Sequence, residues 1–209
     1  MEIENHSFSP TLGLIGCAAS LQDDTGSIPA PLLRHLAQLR GGGRVLIPGC
    51  RKGNEMYAFA AKGFDVVVIN FSETAVANTK EESGSSRIFA AFGDFFSQHF
   101  EFESFDIIYE HGFLSSLPRS MWSDYASRVT SLLRARGRLI GFFRYGETKD
   151  GLTSYLAPGE LGSLFGLGFE NAGESTVHSP DPDIEGREYF EVWLRKPSSI
   201  TAQRNFSSM

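Results

Sequence analysis

RVLIPG, residues 44–49, is an unbroken apolar run closed by a turn signal, and NEMYAFAAKG repeats apolar positions at helical spacing as far as Gly63. The pattern predicts a strand, a loop and a helix with a glycine C-cap. FDVVVIN (64–70) is apolar and β-branched on successive residues, as suits a strand covered on both faces. SETAVANTK then offers Ser72 as the N-cap of a second helix. RIFAAFGDFF (87–96) and FDIIYEH (105–111) read as third and fourth strands. SMWSDYASRVTSLLRARG (120–137) reads as an amphipathic helix ending at Gly137, and GRLIGFFRY (137–145) as a fifth strand. A polar, glycine-bearing loop, GETKDGLTSYLAPGEL, leads into a short helix over 158–165. FENAGESTVH (169–178) and REYFEVWLRK (187–196) flank SPDPDIEG, whose proline and aspartate content forbids a core strand. The two runs predict a terminal antiparallel hairpin.

Alternating β and α elements with short connections imply an α/β fold: a doubly wound, Rossmann-like, mostly parallel seven-stranded sheet ending in that hairpin. Residues 23–197 are expected to form the domain, with 1–22 an N-terminal segment and 198–209 a weakly ordered tail. In such sheets ligands bind outside the carboxyl ends of the strands, which directs attention to the loops after residues 48, 70, 92 and 110.

Charge and composition narrow the partners. With 209 residues, a net charge of −6 and no cluster of lysine and arginine, the chain lacks the basic stripe that duplex nucleic acid requires. No apolar run approaches the ~20 residues of a membrane helix, and the acidic start MEIENHSFSP is unlike a secretory signal. A cytoplasmic protein acting on a small molecule, without nucleic acid or membrane partners, is the expectation; its oligomeric state stays open. Cys17 and Cys50 are the only cysteines, too few for a disulfide framework and not spaced with histidine as a metal site.

Five stretches together resemble the thiopurine S-methyltransferase-like branch of the class I S-adenosylmethionine methyltransferases. They are DTGSIPAPLL (24–33), GRVLIPGCRKG (43–53), AAFGDFF (90–96), the long run from Phe105 to Tyr145, and LAPGELGSLFGLGFE (156–170). The resemblance implies S-adenosylmethionine as cofactor. Its methionine portion would lie over the loop of Gly49, Cys50, Arg51 and Gly53, its ribose at Asn70 and Phe71, and its adenine near Asp94 and Phe95. Asp24 and Glu110 complete the implied cofactor set. Glycine permits close backbone approach, an amide at a strand end can pair with ribose hydroxyls, and a carboxylate can accept from an exocyclic amine.

Three positions depart from the family pattern. Arg51 stands where the Gly-Cys-Gly-x-Gly loop has a glycine, Asn70 replaces the acid that ends the second strand, and Asp23-Asp24 replaces Trp-Asp. Replacing the acid forfeits charge-assisted bonding to the ribose diol, on the order of 1.5 to 3 kcal/mol. The reading that follows is methyl transfer to a thiol or other heteroatom of a small molecule. Two alternatives are a cofactor-free isomerisation or cyclisation in the same pocket and a non-catalytic binding domain.

Glu110 and His111, at the carboxyl end of the fourth strand, are the candidate bases, and Tyr145, closing the fifth, is placed to face a ligand. Each has a plainer reading, His111 as a solvated loop residue above all. Phe113, Leu114 and Leu117 suit either an apolar pocket or the core; Phe142 and Phe143 suit packing, and Cys50 a small thiol under the glycine loop.

Overall fold

The computed structural model describes residues 28–49, 54–146, 154–177 and 186–197. Helix α1 (Ala30–Gln38) leads into β1 (Arg44–Pro48), α2 (Glu55–Ala61), β2 (Asp65–Asn70), α3 (Glu73–Ser83) and β3 (Ile88–Phe92). Then come β4 (Phe105–His111), α4 (Phe113–Ser116), α5 (Trp122–Leu132), β5 (Leu133–Gly146), α6 (Glu160–Phe165), β6 (Phe169–Val177) and β7 (Gly186–Arg195). The strands form one seven-stranded sheet in the order β3-β2-β1-β4-β5-β7-β6. β1 to β5 run parallel, and β7 is antiparallel to both of its neighbours. The chain reverses its march across the sheet between β1 and β4, and in sheets of this kind ligands bind outside the carboxyl ends at that point.

The expected caps form as the sequence implies. Gly63 takes φ +95 and donates to the Ala60 carbonyl, Phe64 donates to that of Phe59, and the two phenyl rings meet edge-on at 6.1 Å. That is a Schellman ending with its hydrophobic contact. Ser72 caps α3 by accepting from the Ala75 N–H at 3.2 Å.

Two elements differ from expectation in their bounds. The helix read as 120–137 begins at Trp122 and stops at Leu132. Leu133 pairs with Phe105 in the parallel ladder and is fully buried, so sheet pairing and burial override the continuing helical pattern. Gly137 is not a helix cap. It lies within β5, where a Cβ would stand 2.8 Å from the Arg134 carbonyl oxygen. The third strand, read as 87–96, ends at Phe92, because Asp94 accepts from the Phe96 N–H at 2.9 Å and turns the chain away.

Alternation along the strands divides the core in two. One face carries Leu46, Ile69, Ile108, Leu139 and Phe143 under α4, α5 and α6. The other carries Val45, Ile47, Ile107, Tyr109, Ile140 and Phe142 under α1 and α2. Successive residues of β4 therefore face opposite layers.

Candidate active site

β1 is followed by Gly49, whose φ of +65 is a conformation glycine adopts without a Cβ penalty. Its N–H donates to the Ile69 carbonyl at 2.8 Å, tying the loop to β2, and a Cβ there would stand 2.5 Å from the Phe113 ring. Both backbone and packing demand the glycine. Asn70, buried at the end of β2, accepts from the Ser72 N–H at 2.9 Å through its side-chain oxygen. Its carbonyl accepts from the Gly93 N–H at 3.0 Å, so the turns after β2 and β3 are joined. Phe71 follows, half-buried.

Asp94 lies just beyond β3, in the field of Arg128 on α5, and its side chain shapes its own turn. The Arg128 guanidinium donates to the carbonyls of Phe95 and Gln98, pinning this loop to α5. Phe95 is 1% exposed, packed edge-on against Phe96 and Phe113. Its side chain belongs to the core beneath the loop. Asp23, Asp24, Cys50, Arg51 and Gly53 fall outside the described residues.

The last two residues of β4, adjacent in sequence, part company in the fold. Glu110 turns toward α4 and α5 and is 1% exposed. One carboxyl oxygen accepts from the Leu114 N–H at 3.0 Å and the other from the Tyr125 hydroxyl at 2.8 Å. Burial pushes the carboxyl up to about 7, against the downward pull of those two donors. The same burial, together with Glu110, raises the Tyr125 hydroxyl above its ordinary value. Opposite Glu110 in the ladder stands Gly141, where a Cβ would collide with the Glu110 backbone. Glu110 thus caps α4 from inside the core.

His111 turns the other way. Its Nδ1 lies 2.9 Å from Oε1 of Glu55, the first residue of α2, and its ring packs 4.8 Å from that of Phe142. The Tyr109 hydroxyl donates to the same Glu55 oxygen at 3.3 Å. Burial pushes the Glu55 carboxyl up, but the bonds from His111 and Tyr109 outweigh it and hold the group below its ordinary value. The His111 side chain is 35% exposed, at the carboxyl end of β4.

Tyr145 closes β5 on the same face as Glu110, and its hydroxyl donates to Oε1 of Glu191 at 2.5 Å. Glu191 is 2% exposed and also accepts from the Trp193 indole at 2.8 Å and the Asn171 amide at 3.3 Å. Tyr145 therefore sits in a polar network linking β5, β6 and β7. Phe113, Leu114, Leu117, Phe142 and Phe143 are all core residues.

The group that sequence reasoning missed is Glu55. Its place, first in the helix after the glycine loop, was readable. Its meeting with His111 depends on β1 lying next to β4, a pairing of Val45 with Ile107 that sequence order does not announce. No group of three or more metal-ligating side chains occurs among the described residues, and no helix among them is long and apolar enough to cross a membrane.

The family model for thiopurine S-methyltransferase matches residues 20–188, most of the chain and nearly the whole sheet. The chain belongs to the thiopurine S-methyltransferase family. It is 28% identical over 149 residues to a probable thiol methyltransferase 2 of Arabidopsis thaliana, covering 68% of this chain and 66% of that relative's length. A Burkholderia thailandensis 1,6-didemethyltoxoflavin-N1-methyltransferase with bound S-adenosylhomocysteine superposes at a TM-score of 0.66, with 20% identity over 80% of this chain and 78% of the other. The [4+2]-cyclase SpnF superposes at 0.65, with 18% identity over 80% and 81%. At such identities these likenesses establish the fold, and a fold shared by a methyltransferase and a cyclase does not choose the reaction.

Proposed function

We propose that the protein transfers a methyl group from S-adenosylmethionine to a heteroatom of a small molecule, a thiol first. Family membership across residues 20–188 carries this reading. The donor set supports it. Gly49 leaves the end of β1 without a side chain, and the Asn70 amide and the Asp94 carboxylate stand after neighbouring strands joined by the Gly93 to Asn70 bond. These are the groups a ribose and an adenine amine require, so the residues present fit the donor.

S-adenosylmethionine, when bound, supplies a sulfonium methyl whose carbon–sulfur bond breaks, its electron pair remaining on sulfur, as an acceptor lone pair forms the new bond. Gly49, Asn70 and Asp94 would hold and orient that donor. His111 is the residue we assign to the acceptor's proton, because it stands partly exposed at the carboxyl end of β4, the end at which ligands bind in sheets of this kind. Glu110 and Tyr145 serve as supports, since Glu110 is sealed in the core and the Tyr145 hydroxyl is bonded to the buried Glu191. Methyl-labelled S-adenosylmethionine incubated with small thiols tests the reading. Label recovered as a thioether is the expected result; its absence from every thiol tried contradicts the thiol assignment.

A further inference from the structure

Glu55, His111 and Tyr109 form a cluster whose chemistry follows from one oxygen. Oε1 of Glu55 meets both the Tyr109 hydroxyl and the His111 ring nitrogen. A carboxyl held below its ordinary value is ionised at neutral pH, and an ionised carboxylate only accepts hydrogen bonds. Nδ1 of His111 must then carry the proton, and in the neutral ring the lone pair falls to Nε2. Packing on Phe142 fixes the plane of the ring, and the described residues show no bond to Nε2.

We infer that Glu55 is a positioning residue that sets His111 as a base through Nε2, so that the thiol acceptor proposed above is taken up in its protonated form. This rests on the methyl-transfer reading above. An acceptor that is already an anion has no proton to give and no use for an oriented imidazole. A thiol with a pKa near 8.5 is mostly protonated at neutral pH. In the step, the S–H proton passes to Nε2, its bonding electrons stay on sulfur, and the resulting imidazolium faces the Glu55 carboxylate before losing its proton to solvent. The titratable groups around the ring are Glu55 on α2, Tyr109 on the same strand and Glu110 on the opposite face, while β5 contributes the uncharged Phe142.

Two readouts on the full chain test this. Proton–nitrogen correlation spectra, with the His111 signals assigned from His111→Ala, report the tautomer without donor or acceptor. The expected form carries its proton on Nδ1 and loses that preference in Glu55→Gln; a proton on Nε2 in the natural protein overturns the proposal. Methyl-transfer rates are then compared for 2-mercaptoethanol, protonated at neutral pH, and 4-nitrothiophenol, already ionised there. His111→Ala should lower kcat/KM for the first by about 100-fold or more and leave the second within about threefold. Its deficit should shrink as rising pH ionises the alkanethiol. Glu55→Gln should follow the same pattern more weakly, and Glu55→Asp should recover part of the loss. Equal losses on both thiols, or none on either, sink the base assignment alone. No transfer to either thiol by the natural protein, with the Nδ1–H tautomer intact, sinks the thiol reading and the base role that depends on it.

Discussion

Glu110 and Glu55 are two carboxylates within reach of the same strand end, each bonded to a tyrosine hydroxyl, yet their surroundings give them opposite characters. Glu110 is sealed, bonded to one backbone N–H and one phenol, and burial raises its carboxyl to about 7. Glu55 keeps a partly exposed histidine beside it, and its carboxyl is held below the ordinary value. The hydrogen-bond donors differ little in number. What separates the two is desolvation without a partner able to carry positive charge, against partial burial with one that can. The period of β4 enforces the division, since it sends Glu110 to one layer and His111 to the other.

The largest test of this contrast is Glu110→Ala. It strands the Leu114 N–H and the Tyr125 hydroxyl and leaves a void, and urea denaturation should show a loss of about 3 kcal/mol or more. Next comes pH. A carboxyl whose folded value is raised binds its proton more tightly when folded. Its ionisation therefore costs nothing below the ordinary value near 4.5, and the cost grows as pH rises, reaching full size above about 7. Relative to Glu110→Gln, the natural protein should lose about 3 kcal/mol of stability between those limits. A flat difference would break the contrast.

Smaller changes sharpen it. Tyr125→Phe should cost about 1 to 2 kcal/mol by removing one donor from a buried acceptor. Glu55→Gln, beside the partly exposed His111, should cost about 1 kcal/mol or less at neutral pH. The sign of its pH dependence is reversed: a depressed carboxyl contributes stability above its ordinary value and loses it as pH falls through the folded one. The difference between Glu55→Gln and the natural protein should therefore narrow in acid.

Much of the fold was legible because periodicity and caps agreed: FDVVVIN as a doubly covered strand, Gly63 and Ser72 as caps, the antiparallel pairing of the last two strands. The passage from α5 into β5 was misread because LLRAR continues a helical pattern, and only the pairing of Leu133 with Phe105 reveals the strand. At the site, chain adjacency grouped Glu110 with His111, whereas the strand period divides them. The pairing of His111 with Glu55, distant in sequence, required the β1–β4 neighbourhood. Residue types at strand ends can be read from a sequence; which layer each faces, and which partner it meets, comes from the sheet.

Methyl transfer requires that the strand ends bind a sulfonium donor even though an amide, Asn70, ends β2. Calorimetric titration with S-adenosylmethionine and S-adenosylhomocysteine, beside the Asn70→Asp variant, tests it most directly. Saturable binding to the natural protein is expected, tightened about tenfold to hundredfold by a carboxylate that keeps the bond to Ser72 and adds charge. Absence of binding to the natural protein, with or without recovery in the variant, would contradict it.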